Sequence, residues 1–366
     1  MKKKTYVFVC LIGSVWLLLS VACLIKKPTE TSDTERRALA QFPALTTETL
    51  LAGKFASEFE AYATDQFPLR NQFRTLKAMW QYYGYLQSDN NGIYIMDGHA
   101  GKIEYPLKTS SIKNACEKFT YLYEKYIKDK NCNVYASVVP DKGYFMAKEG
   151  GYLSLDYEQL FTMVKEGLPF ATYIQLADSL ELSDYYKTDT HWRQEEIVDV
   201  AKKIASAMGI TSRISWNFTK VKTDQPFYGV YYGQAALPLK SDTLYYLTNP
   251  IIEGSVVYHA DTNATTAVYD KDKLASKDPY EMFLSGAAPI LTIENSEAET
   301  DKELVVFRDS FGSSLTPLLI EAYSKITLVD TRYIHSDLVG NYVDFDNADV
   351  LFLYSTLVLN NSTVLK

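Results

Sequence analysis

Short apolar runs alternate with amphipathic stretches along the chain from about residue 110 onward. The run 133–140, "NVYASVVP", is almost entirely apolar, which is typical of a parallel strand covered on both faces. Similar short runs follow at 170–176, 303–307, 326–330 and 349–354. Between them, apolar residues recur at helical spacing near 110–127, 157–166, 197–208 and 314–323. This alternation predicts an α/β fold with a mostly parallel central sheet and flanking helices.

Two parts of the chain depart from this alternation. Residues 50–83 carry apolar positions at helical spacing, interrupted at Pro68, and 90–105 is predicted to form two short strands around the Asp97-Gly98 turn. Between about 212 and 300 the chain becomes polar, rich in tyrosine and threonine, and strand-like. We therefore expect a strand-rich insertion that forms a lid over an edge of the sheet.

The N-terminal segment has the features of a membrane anchor. Three lysines at 2–4 precede an uncharged run at 5–25, and about 20 apolar residues suffice to cross a bilayer as a helix. Residues 1–30 are expected to be an anchor or an uncleaved signal, because a cleavable signal has a shorter apolar core. The positive-inside tendency keeps the lysines in the cytoplasm, which predicts a single-pass protein of the cell membrane with 31–366 as one extracytoplasmic domain. Lipidation is the alternative, since "LSVAC" ends at Cys23, although a serine stands where the lipoprotein box has leucine.

Composition and charge narrow the classes of function. A chain of 366 residues with 47% hydrophobic content can bury a sizeable core. The net charge of -8, with no basic block after the first residues, gives no electrostatic footprint for nucleic acid. Outside the apolar run only Cys116 and Cys132 remain, and a predicted helix separates them by about 18 Å, so two free, buried thiols are expected. Neither has a histidine nearby in sequence, and no metal or cofactor is predicted.

A candidate nucleophile follows one of the predicted strands. In open α/β sheets, ligands bind beyond the carboxyl ends of the strands. After the strand at 303–307 comes "RDSFGSSLTPLL", a polar turn that leads into a helical pattern. Ser310 in this turn is expected at the sheet edge, where its own N–H and that of a neighbour, Gly312, can form an oxyanion hole. An Asp-Ser turn alone is more often only a helix cap, so a nucleophilic Ser310 needs a base and a group that orients the base.

The stretch "YYKTDTHWRQEE", 185–196, supplies candidates for those two groups. It contains Asp189 and His191 in a chain with only four histidines. Alternate residues of an extended segment point the same way, so the carboxylate is expected beside one imidazole nitrogen. Such a pair alone is more often structural. Together with Ser310, the two residues provide the components of a Ser-His-Asp triad.

Several short segments, in order, resemble the extracytoplasmic SGNH-like proteins that include the bacterial DHHW family and the alginate O-acetylation proteins. The resemblance covers most of the chain from 35 to about 355. Its segments are "ERRALAQFP" (35–43), "DQFPLRNQF" (65–73), "VVPDK" (138–142), "YYKTDTHW" (185–192), "FYGVYY" (227–232), "DPYEMFLSGAAP" (278–289), "LVVFRDSFGSSLTPLL" (304–319) and "ITLVDTRYI" (326–334).

This resemblance implies a flavodoxin-like, SGNH hydrolase-type α/β fold in which the Asp-x-His element precedes the serine. It places the catalytic roles of the family on Asp189, His191 and Ser310. The DHHW motif reads Asp-Thr-His-Trp here, with Thr190 at a position where the alginate proteins tolerate a small residue. Arg332 follows the next strand and is expected to face the site, where it would contact the acceptor or a reaction intermediate. The glycine and asparagine oxyanion donors of hydrolytic members have no clear match, which argues against simple hydrolysis.

The resemblance also implies an activity. It indicates an O-acetyltransferase that moves an acetyl group through a serine acyl-enzyme onto hydroxyls of a secreted or cell-surface polysaccharide, with a membrane-bound O-acyltransferase as the acyl donor. Tyr231 and Tyr232 are predicted to line an acceptor groove that favours sugar over water. Two alternatives stay open: a carbohydrate esterase that removes acetyl groups, and a non-catalytic protein that binds glycan or acts as a scaffold in an export complex.

Overall fold

A computed structural model describes residues 2–366, which form two compact units, 2–91 with 232–238 and 92–231 with 239–366. The α-helices are α1 (Lys2–Ile25), α2 (Thr47–Leu51), α3 (Lys54–Asp65), α4 (Arg70–Met79), α5 (Thr109–Leu122), α6 (Gly143–Met146), α7 (Tyr157–Gly167), α8 (Val198–Ala207), α9 (Val230–Ala235), α10 (Pro250–Gly254), α11 (Phe311–Leu315) and α12 (Thr356–Leu359). The strands are β1 (Thr31–Ser32), β2 (Arg37–Ala38), β3 (Ile93–Met96), β4 (His99–Lys102), β5 (Asn133–Val139), β6 (Thr172–Gln175), β7 (Thr219–Phe227), β8 (Asp242–Thr248), β9 (Val256–His259), β10 (Ala264–Ala267), β11 (Ile290–Glu294), β12 (Glu303–Arg308), β13 (Lys325–Val329) and β14 (Ala348–Ser355).

The second unit contains a central sheet of eight strands, in the order β10-β9-β11-β13-β12-β14-β5-β6. The five strands from β13 to β6 in this order are parallel to one another, whereas the β10-β9, β9-β11 and β11-β13 pairs are antiparallel. The predicted α/β fold with a mostly parallel sheet and flanking helices is therefore confirmed. All eight residues of β14 are buried, as expected for a strand between two helical layers.

Side-chain alternation along the central strands divides the core of the second unit into two layers. On β12, Leu304 and Val306 pack on the side covered by α8, whereas Val305 and Phe307 pack on the side covered by α5 and α7. The same alternation holds along β14. Successive strand residues point to opposite faces, so an almost continuous apolar run is the sequence that two covered faces require.

The region 212–300 differs in part from its prediction as a lid. β7 and β8 form a separate antiparallel pair, but β9, β10 and β11 extend the central sheet itself. β10 is an edge strand whose residues are largely exposed, and this explains why its sequence is polar although it belongs to the main sheet. The second unit begins at residue 92, and the single domain over 31–366 stays a prediction.

The first unit contains α1 and the helices α2 to α4. α1 has a mean hydropathy of 2.6 over its apolar window and is exposed, so it is the one helix among residues 2–366 that is long and apolar enough to cross a membrane. Two segments quoted above, 35–43 and 65–73, meet in an ion-pair cluster. Arg37 forms two short bonds to Asp65, at 2.8 and 2.6 Å, and Arg74 lies 3.3 Å from Glu35. Arg37 holds the pKa of Asp65 low, at about 2.

The predicted free thiols are confirmed for the described residues. Cys116 is buried on α5, and burial raises the pKa of its thiol to about 11. Cys132 is only half-buried, just before β5, and its Sγ donates to the carbonyl of Phe345.

Candidate active site

Ser310 lies at the carboxyl end of the central strand β12, in the turn that leads into α11. β12 has parallel neighbours on both sides, β13 and β14, so the turn is placed by the most buried part of the sheet. Asp309 fixes its conformation: one carboxylate oxygen accepts the N–H of Phe311 at 3.0 Å and the other accepts the N–H of Ser355 at 2.7 Å. The turn is thus bonded to the end of the adjacent strand.

Asp189 and His191 lie in a bend between Tyr185 and Trp192, two residues that form an isolated antiparallel bridge. One oxygen of the Asp189 carboxylate accepts from Nδ1 of His191 at 2.6 Å and from the backbone N–H of His191 at 3.1 Å. The other accepts the N–H of Val230 at 2.8 Å. The two side chains lie together as predicted, but a bend brings them together rather than alternation along an extended segment.

Nε2 of His191 lies 2.7 Å from Oγ of Ser310, and this contact joins the two elements. A carboxylate only accepts, so the imidazole proton belongs on Nδ1 and Nε2 is left to accept from the serine hydroxyl. Asp189 is fully buried, His191 is 7% exposed and Ser310 is half-buried. The arrangement can remove a proton from a hydroxyl that retains access to solvent.

The bend is held from behind by backbone and side-chain contacts. Asp242 accepts from the N–H of Thr188 at 2.8 Å and from its hydroxyl, and that hydroxyl in turn accepts the N–H of Gly229 at 2.9 Å. A Cβ on Gly229 would lie 2.2 Å from Cβ of Asp189 and 2.3 Å from its Cα. Only glycine allows these two backbone segments to approach so closely.

Tyr280 covers one face of the His191 ring. The two rings are stacked, with centroids 3.9 Å apart and an interplanar angle of 6°. The Tyr280 hydroxyl forms a hydrogen bond with Oγ of Ser314 at 2.8 Å. Oγ of Ser314 also accepts from Nε1 of Trp192 at 2.8 Å. Burial raises the pKa of Tyr280 well above its ordinary value, so this ring stays neutral. The imidazole is therefore confined to one plane.

A buried lysine lies under the bend. Nζ of Lys142 donates to the carbonyls of Tyr186, at 2.9 Å, and Lys187, at 3.2 Å. It also lies 5.0 Å from the centroid of the Tyr231 ring. Burial lowers the pKa of Lys142 to about 7, while the charges of nearby carboxylates, Asp189 first among them, act in the opposite direction.

The structure gives the other predicted site residues different surroundings. Tyr231 is buried, and its hydroxyl donates to Thr190 at 3.2 Å, so it supports the bend rather than lining an open groove. Arg332 makes two hydrogen bonds to the carboxylate of Asp330, at 2.9 and 2.6 Å. The N–H of Gly312, a predicted oxyanion donor, donates to the carbonyl of Asp309 at 3.1 Å. Tyr232 is half-buried and belongs to the first unit.

Sequence reasoning assigned no role to Lys142, Gly229, Asp242 or Tyr280. Three of them lie inside segments quoted above for the resemblance, namely 138–142, 227–232 and 278–289. These segments therefore converge on the bend and the Ser310 turn. Asp242 carried no comparable sequence signal. No group of three or more His, Cys, Asp or Glu side chains that could hold a metal ion occurs within residues 2–366.

Comparison with solved structures places this fold in a known class. A DHHW family protein from Eubacterium siraeum matches with a TM-score of 0.60 and 20% identity, over 75% of this chain and 94% of that chain. Bacillus cereus PatB1, in a structure with a sulfonyl adduct, matches with a TM-score of 0.60 and 20% identity, over 73% of this chain and 95% of that chain. The O-acetyltransferase domain of Pseudomonas putida AlgJ is more distant, at 12% identity and a TM-score of 0.45, over 74% of this chain and 92% of that chain.

The first two matches show that the chain shares the fold of the DHHW family protein and of PatB1, and at the level of the fold they confirm the resemblance stated from the sequence. Comparisons with protein-family profiles and with curated protein sequences gave no match.

Proposed function

We propose that this protein is a serine-dependent O-acyltransferase with Ser310 as nucleophile, His191 as general base and Asp189 as the group that orients and stabilises the imidazolium. One observation carries the proposal: an unbroken chain of hydrogen bonds, 2.6 and 2.7 Å long, runs from a fully buried carboxylate through an imidazole to a half-buried serine. A serine hydroxyl is a weak nucleophile without a base in reach, and this geometry provides the base.

In the first half-reaction, Ser310 is acylated. Nε2 of His191 takes the hydroxyl proton while Oγ bonds to the carbonyl carbon of an acyl donor. The resulting oxyanion faces the backbone N–H of Ser310, because the N–H groups of Phe311 and Gly312 are engaged by Asp309. Collapse breaks the bond to the leaving group, which receives the proton from His191, and leaves an acyl ester on Ser310.

In the second half-reaction, an acceptor hydroxyl resolves the ester. His191 takes the acceptor's proton, the acceptor oxygen attacks the ester carbonyl, and Ser310 leaves and recovers a proton from His191. We propose an acetyl group as the acyl group, a hydroxyl of a secreted or cell-surface polysaccharide as the acceptor, and a membrane-bound O-acyltransferase as the donor. α1 would anchor the protein with the second unit outside the membrane, where such a polymer is found.

The proposal is tested by intact mass spectrometry of the full chain in detergent after incubation with an activated acetyl ester. We expect a mass increase of one acetyl group that is absent in Ser310→Ala and His191→Ala. Ser313→Ala, which removes the next hydroxyl along the chain, inside α11, serves as the matched control and should retain the adduct. Phenylmethanesulfonyl fluoride, a reagent motivated by the sulfonyl adduct on PatB1, should add one sulfonyl group to the wild type and to Ser313→Ala and none to Ser310→Ala.

Acceptor glycans then separate transfer from hydrolysis. Faster loss of the acetyl group when glycan is added, with acetate esters appearing on the sugar, supports a transferase. Loss at the same rate with or without glycan indicates an esterase. A folded wild-type protein that forms no adduct with either reagent would contradict the nucleophile assignment and favour a binding or scaffold role.

A further inference from the structure

The outward face of α4 and of the π-helical turn that continues it, Trp80–Gly84, is apolar. The residues that form it recur at spacings of four and three, so they lie in one line along the helix. Each is at least 43% exposed, which is unusual for large side chains in a row. We call this set the apolar stripe: Leu69, Phe73, Leu76, Trp80 and Tyr83.

The opposite face of the helix is the one that packs within the first unit. Ala78 is fully buried, and Nη2 of Arg74 donates to the carbonyl of Gly233 at 2.8 Å while also pairing with Glu35. These contacts fix the rotation of α4 about its own axis. The apolar stripe therefore faces outward because the helix is held that way.

The residues that follow the membrane-length helix are bonded to Gln66, which caps the end of α3 and precedes α4. Nζ of Lys26, the residue after α1, donates to the carbonyl of Gln66 at 3.0 Å. The N–H of Thr29 donates to the Gln66 side chain at 3.0 Å, and that side chain donates back to the Thr29 carbonyl at 2.9 Å. Gln66 precedes the first residue of the apolar stripe by only three positions. If α1 crosses a bilayer, the stripe begins where α1 leaves it.

Composition indicates the chemistry of the surface that covers the stripe. Residues 70–84 contain no acidic residue, and Lys77 is exposed beside the stripe, whereas Arg70 and Arg74 pair with Glu35 on the packed face. A Trp-, Phe- and Leu-rich face flanked by an exposed lysine, with no acidic residue beside it, is typical of helices that lie in a membrane interface. Trp80 and Tyr83 are the residue types that concentrate at headgroup level.

We propose that the apolar stripe is a second membrane contact, seated in the headgroup–acyl boundary of the leaflet from which α1 emerges. It would sink by about 5–10 Å, the usual depth of interfacial helices. Anchored at two places, the first unit would be held flat on the bilayer instead of swinging on a single helix. The inference is independent of the acyl-transfer proposal and requires only that α1 stays on the chain.

Spin-label accessibility tests this contact in the full chain, reconstituted in nanodiscs of phosphatidylethanolamine and phosphatidylglycerol. Serine replaces Cys10, Cys23 and Cys132. A nitroxide is then attached at Leu76→Cys, on the stripe, or at Asn71→Cys, an exposed position on another face of the same helix. We expect the ratio of oxygen to nickel-chelate accessibility to be several-fold higher at 76 than at 71. Equal ratios, or exclusion of both reagents at 76, as a protein partner or second copy would produce, overturn the proposal.

Tryptophan quenching by brominated lipids gives a label-free measurement. Trp16 is first replaced by phenylalanine. The emission of Trp80 is then the difference between this variant and the variant that also carries Trp80→Phe. We expect lipids brominated near the headgroup to quench the Trp80 emission. Trp192 is buried and serves as the internal unquenched reference. Absence of quenching of the Trp80 component, in protein that retains its acetyl adduct, would refute the membrane contact while leaving the proposed chemistry intact.

Discussion

Exchange of Asp189 for Asn is the sharpest perturbation of the proposed site, because it keeps the shape of the side chain and removes its charge. The carboxylate serves three donors: two from His191 on one oxygen and the N–H of Val230 on the other. An amide has one acceptor oxygen and one donor group. With its NH2 toward His191 it forces the proton onto Nε2, which then cannot accept from Ser310. With its NH2 toward Val230, the amide faces the donor N–H of Val230 and leaves the imidazolium without a counter-charge.

The expected magnitude follows from the charge that is lost. At an effective dielectric constant near 20, a carboxylate about 4 Å from the imidazolium centre contributes about 4 kcal/mol, which corresponds to a factor of about 10³ in rate. The wrong tautomer in an otherwise intact triad reduces turnover by about 10⁴ in serine proteases. We therefore expect Asp189→Asn to acylate between about 10³ and 10⁴ times more slowly than the wild type.

Stopped-flow measurement of the first acylation step with p-nitrophenyl acetate checks this value. The double variant Asp189→Asn, Ser310→Ala should be no slower than Ser310→Ala alone, because residues that act as a unit are not additive. Circular dichroism should show that Asp189→Asn is folded. An acylation rate within about tenfold of the wild type would mean that Asp189 does not orient the base, and the catalytic assignment would be refuted.

Three further changes test the surroundings of the site. Gly229→Ala should displace Asp189 and abolish acylation in a folded protein, measured by adduct mass, whereas Gly254→Ala, with open space around its added methyl, should be neutral. Ser314→Ala should lower the free energy of unfolding in urea by about 1–3 kcal/mol, because it leaves two buried donors unpaired. Lys142→Met should flatten the pH dependence of that free energy: between pH 7 and 10.5 only the unfolded wild type binds the lysine proton, so wild-type stability rises with pH by up to about 1.4 kcal/mol per unit.

Each of these has a result that contradicts its reasoning. Normal acylation by Gly229→Ala would show that the close approach to Asp189 is not needed for catalysis. An unchanged urea midpoint in Ser314→Ala would mean that the bonds from Trp192 and Tyr280 contribute nothing net. Parallel stability curves for Lys142→Met and the wild type above pH 7 would indicate that the buried amine stays protonated in the folded state.

The central strands were predictable because burial on both faces leaves a strong mark on sequence. β5, β12, β13 and β14 all lie within runs that are apolar at nearly every position, and these bounds agree with the prediction to within a residue or two. β10 left no such mark, because an edge strand with exposed side chains has the composition of a loop. The helix predicted near 314–323 instead starts at Phe311 and tightens into a 3-10 turn from Thr316, a change of hydrogen-bond pattern that periodicity does not reveal.

Some residues of the candidate site could be predicted from the sequence and others could not, again because only some of them leave a mark on the sequence. Asp189, His191 and Ser310 could be proposed because their chemistry limits what they can do at strand and turn ends. Tyr280 and Gly229 act through where they lie: one stacks on an imidazole and the other permits a backbone approach of a few ångströms. Tyrosine and glycine are common in many roles, so only coordinates reveal these two.

The proposed base and nucleophile are held by different kinds of structure, and this difference bears on how the site would work. Ser310 follows a central strand and is tied by Asp309 to the end of β14, so its position is as rigid as the sheet. The His191 bend is held by backbone contacts from 229–230, a carboxylate at 242 and a stacked ring, none of which belongs to a strand of the central sheet. Any adjustment to an acyl donor is therefore expected in the bend. Substitution of Gly229 or Tyr280 should then slow proton transfer more than it weakens binding of the acyl donor. Separate measurement of the acylation rate and of the donor's dissociation constant would reveal this difference.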